Sequence, residues 1–348
     1  MSAIIQAIEY HLPESVLGNA QLAQENPAWT VEKIQSKTGI LERHVSRPDE
    51  CASDLAAQAV VRLFEQGACR PDEIDFLLFC TQSPDYFLPT TACLLQERLG
   101  LRKSVGALDI NLGCSGFVYG LGLAKGLIET GQANTVLLLT ADTYTKFIQP
   151  QDFSVRSLFG DAAAATLLTR GSSDDESIGP FEYGTDGSGA GNLIVKYGGL
   201  RHPSESASSQ AVPVAAAAAP TNRNTDEPPQ PPTLYMNGPE IFAFTLGAVP
   251  QAVNALLART GLTLDDIDLV VFHQANEYML EHLRAKMKIP KEKFFVSMSH
   301  CGNTVSSSIP IALKDACSAG RLVTGNRVML VGFGVGYSWG ATLLRWAV

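Results

Sequence analysis

Three residues of this 348-residue chain have the side-chain types and local settings for nucleophilic catalysis: Cys114, His273 and Asn303. Cys114 lies in LDINLGCSGFVYGLGLAKGLIET, Leu108 to Thr130. Leu108 to Leu112 alternate like a strand, and Phe117 to Ile128 repeat apolar residues at helical spacing. The small residues Gly113-Cys114-Ser115-Gly116 make the turn between them. A thiol at such a junction faces the positive end of a helix, which favours thiolate, and its flanking glycines let another backbone approach the sulfur. The alternative reading is a small apolar Cys filling space under the helix. His273 closes the apolar run Ile267 to Phe272 and precedes Gln-Ala-Asn; Asn303 sits in His300-Cys301-Gly302-Asn303-Thr304. Alone, such a His is more often structural and such an Asn a turn residue. Together with Cys114 they supply one nucleophile and two neutral hydrogen-bond donors.

The elements that must position these residues are strands alternating with helices. Residues 3–12 read as an opening strand, and Ser53 caps a helix running to Gln66 that Gly67 ends. IDFLLFC, 74–80, has the continuous apolar run of a strand buried on both faces. A helix over 91–99 precedes the Cys114 unit, and a strand over 135–140 follows it. The second half repeats the first. LTLDDIDLVVFHQAN (262–276) parallels CRPDEIDFLLFCTQS (69–83), with Ile267-Asp268 falling 193 positions after Ile74-Asp75. Residues 295–303 with the helix of 309–319 parallel the Cys114 unit, VMLVGFG (328–334) answers VLLLTAD (136–142), and ATLLRW answers ATLLTR. The pattern predicts two copies of one strand-and-helix unit, residues 1–172 and 173–348, with parallel sheets covered by helices. In such a duplicate, the turns at Cys114, His273 and Asn303 can converge near a pseudo-two-fold axis.

Composition narrows the function class. A net charge of -9 provides no field for a phosphate backbone or an anionic membrane, so neither nucleic-acid binding nor membrane insertion is expected. The start MSAIIQAIEY has no basic region ahead of a long apolar run, and no window of 18 apolar residues occurs, which points to a cytoplasmic protein. Seven cysteines without a C-x-x-C suggest reduced thiols, with neither a disulfide framework nor a metal site. Residues 204–233, rich in Pro, Ala and Ser, read as an exposed insertion, with a polyproline docking segment as the sharper alternative.

Four motifs in order, GCSGF at 113–117, HQAN at 273–276, GNT at 302–304 and GFGVGYSWG at 332–340, resemble the β-ketoacyl-ACP synthase III enzymes of the thiolase superfamily. KTGILERHV at 37–45 and FGDAAAA at 159–165 extend the resemblance over nearly the whole chain. It implies an α/β thiolase-like fold in an αβαβα layered arrangement, a homodimer, and a Cys114-His273-Asn303 triad. It also implies an oxyanion hole from the backbone N–H groups of Cys114 and Val335, and an acyl pocket gated by Leu88 and Phe333, with Leu88 supplied by the partner subunit. The implied reaction is decarboxylative Claisen condensation through an acyl-Cys intermediate. An acyl-CoA or acyl-ACP would be the donor and malonyl-ACP the extender, so the carriers enter as substrates and no cofactor is required.

Other readings compete with this one. An acyltransferase moving the acyl group to an alcohol or amine would carry the same triad, as would a non-catalytic partner subunit only if it had kept the residues without the activity. A Cys-His-Asn hydrolase uses the same trio on another architecture. A degradative thiolase needs a second cysteine in the C-terminal glycine loop, and GFGVGYSWG has none. That loop also precedes a strand, unlike a dinucleotide fingerprint. The chain departs from the family where carriers bind. Lys33 replaces a Trp that stacks on adenine, with Trp29 nearby but out of register, and Phe153 replaces an Arg, with Arg156 three residues on. Glu277-Tyr278, Ala243 and Pro239 stand where many members have other residues, including basic ones. The departures suggest an atypical carrier-docking surface and a specialised pathway.

Overall fold

The structure, a computed structural model, describes residues 2–171, 178–203 and 231–348. Two five-stranded sheets form its centre. The first contains β1 (Ser2–His11), β4 (Phe76–Cys80), β5 (Gly106–Ile110), β6 (Thr135–Asp142) and β7 (Ala162–Gly171), ordered β1-β7-β6-β4-β5. The second contains β8 (Phe181–Thr185), β11 (Leu269–Phe272), β12 (Phe294–Phe295), β13 (Arg327–Gly334) and β14 (Ser338–Arg345), ordered β8-β14-β13-β11-β12. Corresponding pairs run in the same sense: β6-β4-β5 and β13-β11-β12 are parallel, while β7 and β14 are antiparallel to both neighbours. The internal repeat is therefore a repeat of topology. Short ribbons β2 (Ser15–Gly18) with β3 (Glu42–Val45), and β9 (Leu193–Val195) with β10 (Leu234–Met236), lie outside the sheets.

Helices form three layers around the sheets. Gly116–Glu129 and Ser308–Ser318 pack between the sheets, Ala52–Glu65 covers the outer face of the first, and Gly238–Thr260 covers that of the second. This αβαβα stack explains why the strands read as unbroken apolar runs. Along β6, Val136 and Leu138 join the central core, while Leu137, Leu139 and Ala141 join the outer one. Along β13, Val328 and Leu330 face inward and Met329, Val331 and Phe333 outward. A period-two strand between two apolar layers has no polar face to reveal its period.

One local expectation is corrected. Ser53 does not cap the helix: the helix starts at Ala52, the Asp54 carboxylate accepts from the Cys51 N–H at 2.6 Å, and Ser53 Oγ donates to Asp85 at 2.7 Å. Helix Gly238–Thr260 is long and apolar enough by composition to cross a bilayer. Its Ile241, Val249, Val253 and Leu256 pack into the outer core, which accounts for that composition. Of the proposed insertion, 204–230 lies outside the described residues, and Pro231 and Pro232 are exposed ahead of β10.

Candidate active site

Each of the three residues stands at a strand end or on the loop that follows one. Cys114 follows β5 and precedes helix Gly116–Glu129; His273 directly follows β11; Asn303 lies between β12 and helix Ser308–Ser318. All are buried, at 4%, 2% and 5% exposure. The shared sheet order places these ends together, and neighbouring contacts connect them. The Phe333 ring meets the His273 ring edge-on at 5.5 Å, and the next residue, Gly334, lies directly against Cys114. A Cβ on Gly334 would come within 2.8 Å of Cys114 Cβ and 3.0 Å of Sγ, so only glycine fits there.

The backbone N–H groups of Val335 and of Cys114 itself lie close enough to the sulfur to favour its ionised form. Burial and the nearby Asp142 carboxylate oppose them and push the thiol up to about 12. The resting residue is therefore a thiol, contrary to the thiolate expected from its place near a helix start: complete burial outweighs that helix end and the two donors. His273 is pulled down to about 3 by burial, against a hydrogen bond to the Val305 backbone, and is neutral. Its Nδ1 lies 2.7 Å from Ser308 Oγ, which also accepts from the Gln274 N–H at 3.3 Å. When that hydroxyl donates to Nδ1, the ring proton sits on Nε2.

Asn303 is oriented as tightly. Its Oδ1 accepts from the Val305 N–H at 3.0 Å, which leaves the Nδ2 amide to donate elsewhere. Its backbone bridges to the first half: Asn303 N donates to Leu158 O at 2.9 Å and Gly160 N to Asn303 O at 3.1 Å. Behind this turn the fully buried Arg43 guanidinium donates to Ser157 O and Asn19 Oδ1, and its stem packs against Gly302.

Spacing alone missed a buried polar network. Asp142, at the end of β6, accepts from Gln82 N at 2.8 Å and from Ser306 Oγ at 2.5 Å, while Tyr144 donates to Gln82. Burial pushes the Asp142 carboxyl up to about 7, against the hydrogen bonds that it accepts. The signals for it were a carboxylate closing the apolar run VLLLTAD and the serine run 306–308 ahead of a helix.

The expected gate residues separate. Phe333 is buried beside His273, whereas Leu88 is 82% exposed, next to Tyr86 and Phe87, also exposed. At the departures from the family pattern, Trp29 stacks on Phe153 at 6.4 Å, with Lys33 5.0 Å over its ring. Arg156 packs over Phe153 and pairs with Glu25. Tyr278 clusters with His282 and Phe242.

Comparison with known proteins gives one consistent result. Residues 108–187 match the family model for 3-oxoacyl-[acyl-carrier-protein (ACP)] synthase III, and 257–346 match the model for its C-terminal part. A β-ketoacyl-[acyl-carrier-protein] synthase III of Caldanaerobacter subterraneus subsp. tengcongensis is 34% identical over 337 residues, covering 97% of this chain and 96% of that protein. A crystal structure of a 3-oxoacyl-(acyl-carrier-protein) synthase III superposes with TM-score 0.91 at 52% identity, covering 99% of this chain and 100% of the other. The 3-oxoacyl-(acyl-carrier protein) synthase of Burkholderia xenovorans LB400 gives 0.87 at 36% identity, covering 100% and 95%.

Proposed function

The chain belongs to the β-ketoacyl-[acyl-carrier-protein] synthase III family of condensing acyltransferases, and from that premise we propose that Cys114, His273 and Asn303 carry a decarboxylative Claisen condensation. The observation that supports this most directly is the pair of backbone N–H groups, from Cys114 and Val335, converging on the Cys114 sulfur. A carbonyl carbon bonded to that sulfur would place its oxygen close to the same donors.

The steps follow from the chemistry of each group. The sulfur attacks the acyl thioester carbonyl, the two N–H groups stabilise the oxyanion, and the carrier departs as a free thiol with the proton that Cys114 loses. A malonyl thioester then loses carbon dioxide, and its C–C bonding pair becomes an enolate. His273 Nε2 and Asn303 Nδ2, both neutral donors, stabilise the enolate oxygen without competing for a proton. The carbanion attacks the acyl-Cys carbonyl, the C–S bond breaks, the Cys114 thiolate takes a proton from water to restore the thiol, and a β-ketoacyl thioester leaves. A neutral histidine suits this role, since a donor that is already uncharged can strengthen its bond as negative charge develops.

The same reading divides the chain after residue 172, with the nucleophile on one half and both amide and imidazole donors on the other. It makes the protein a homodimer, in which the exposed Tyr86-Phe87-Leu88 segment reaches the partner's acyl pocket. Leu88, smaller than the Phe common there, admits longer or branched donors. The extender is malonyl-ACP, delivered to an atypical surface where the Phe242, Tyr278 and His282 cluster replaces basic contacts. Seven free cysteines support a reducing, cytoplasmic setting.

Intact-protein mass spectrometry after incubation with a panel of acyl-CoA and acyl-ACP donors tests the reading, with Cys114→Ala in parallel. One added acyl group on the wild type alone, followed by carbon dioxide release from malonyl-ACP, is expected. An adduct that passes to an alcohol or amine without carbon dioxide release would replace condensation with simple acyl transfer. No adduct from any donor would remove the proposal.

A further inference from the structure

The turn carrying Cys114 and the glycine loop carrying Val335 belong to different halves of the molecule, yet they pack backbone against backbone. A Cβ on Gly332 would stand 2.8 Å from Ser115 Cα and 2.9 Å from Cys114 O. Across this seam the hydroxyls of Ser115 and Ser338 lie 2.7 Å apart, with the two residues 1% and 3% exposed. Ser115 follows the nucleophile directly. Ser338 begins β14, where it pairs with Gly334 and closes the loop Val335-Gly336-Tyr337.

We propose that the Ser115–Ser338 hydrogen bond is a positioning pair, holding the Val335 N–H on the Cys114 sulfur and so setting the geometry of the oxyanion site. The inference rests on the reading of Cys114 as the nucleophile. The β13-β14 ladder and the two Tyr337–Asp186 backbone bonds fix the loop to its own sheet, but among the described residues no ladder runs from that loop to the nucleophile turn. Van der Waals contact through Gly332 and Gly334 is close but non-directional, and Gly336, at φ 138, gives the loop backbone freedom that other residues lack. A hydroxyl pair in a water-excluded site supplies direction, and low local dielectric strengthens it. Its place, one residue from the sulfur and three from the donor, leaves little chain in which an error of position can be absorbed.

Ser115→Ala, Ser338→Ala and the double variant test the proposal through kcat, KM, thermal stability and the pH profile of Cys114 alkylation by iodoacetamide, followed on the Cys114 peptide. Each single variant is expected to lose about tenfold in kcat at unchanged KM, a fraction of the roughly 10²–10³ lost when an oxyanion donor is deleted outright. The double variant should lose no more than either single, because all three delete the same bond. Stability should fall in the singles, where one buried hydroxyl is left alone, and recover in the double. The alkylation profile should move to higher pH in all three, since a displaced Val335 N–H no longer favours the thiolate. If kcat recovers together with stability in the double variant, or if the alkylation profile does not move, the bond is only structural and the proposal falls. Failure of the wild type to form an acyl adduct would instead overturn the nucleophile reading, and the alkylation profile, which needs no substrate, would still decide the role of the pair.

Discussion

Replacing Asn303 should separate the two half-reactions. Its Oδ1 is already engaged by the Val305 N–H at 3.0 Å, so the amide has only Nδ2 to offer a substrate. Asn303→Ala removes one of the two proposed enolate donors, and loss of one such donor in a buried site costs about 2.7–4 kcal/mol, or roughly 10²–10³ in rate. Acylation of Cys114, which relies on the Cys114 and Val335 N–H groups, should proceed at the wild-type rate. The substitution also orphans the Val305 N–H, at about 1–3 kcal/mol of stability. Asn303→Asp keeps an oxygen to accept from Val305 and, ionised at about pH 8, has no donor to offer, at the cost of burying a charge. The assay compares acyl-adduct formation by intact mass with carbon dioxide release from malonyl-ACP, alongside urea denaturation. Both variants should acylate, neither should decarboxylate efficiently, and both should be less stable than the wild type. Equal losses in both half-reactions would refute the assignment of Nδ2 to the enolate, and so would undiminished decarboxylation.

Burial also makes stability depend on pH in two opposite ways. His273 sits near 3 in the fold against 6.5 ordinarily, so the unfolded chain takes up the proton first, and stability is lost as pH falls from 6.5 towards 3, by up to about 5 kcal/mol. Denaturation midpoints across that window should show the loss, and His273→Gln should flatten it. Asp142 is raised from 3.8 to about 7, so its contribution is present below 3.8 and lost as pH rises through 7. Asp142→Asn does not titrate; urea melts should show the gap from wild type moving in the variant's favour over that range by up to about 4 kcal/mol. Arg43→Leu strips donors from Ser157 O and Asn19 Oδ1, and should cost at least about 1–3 kcal/mol by the same melts. Gly334→Ala, whose Cβ would lie 2.8 Å from Cys114 Cβ, should abolish the acyl adduct while circular dichroism reports a retained fold.

Much of the architecture was written locally. Apolar runs at 74–80 and 267–272, set 193 residues apart, revealed a duplicated α/β unit because each copy buries its strands under helices on both sides. The turn residues around Cys114 and Asn303 and the end of the run at His273 marked strand ends for the same reason: side-chain size and period report where a chain enters and leaves a core. The ionisation of the site was not legible there. A cysteine beside a helix start suggests a thiolate until the fold encloses it completely and brings Asp142 near, and those facts depend on sheet order. The same holds for Ser308 behind His273, Ser338 against Ser115, and Trp29 on Phe153, pairs 35, 223 and 124 residues apart. Periodicity is a property of neighbours along the chain, whereas a hydrogen bond across a seam and the desolvation of a thiol exist only once distant segments have displaced the water between them.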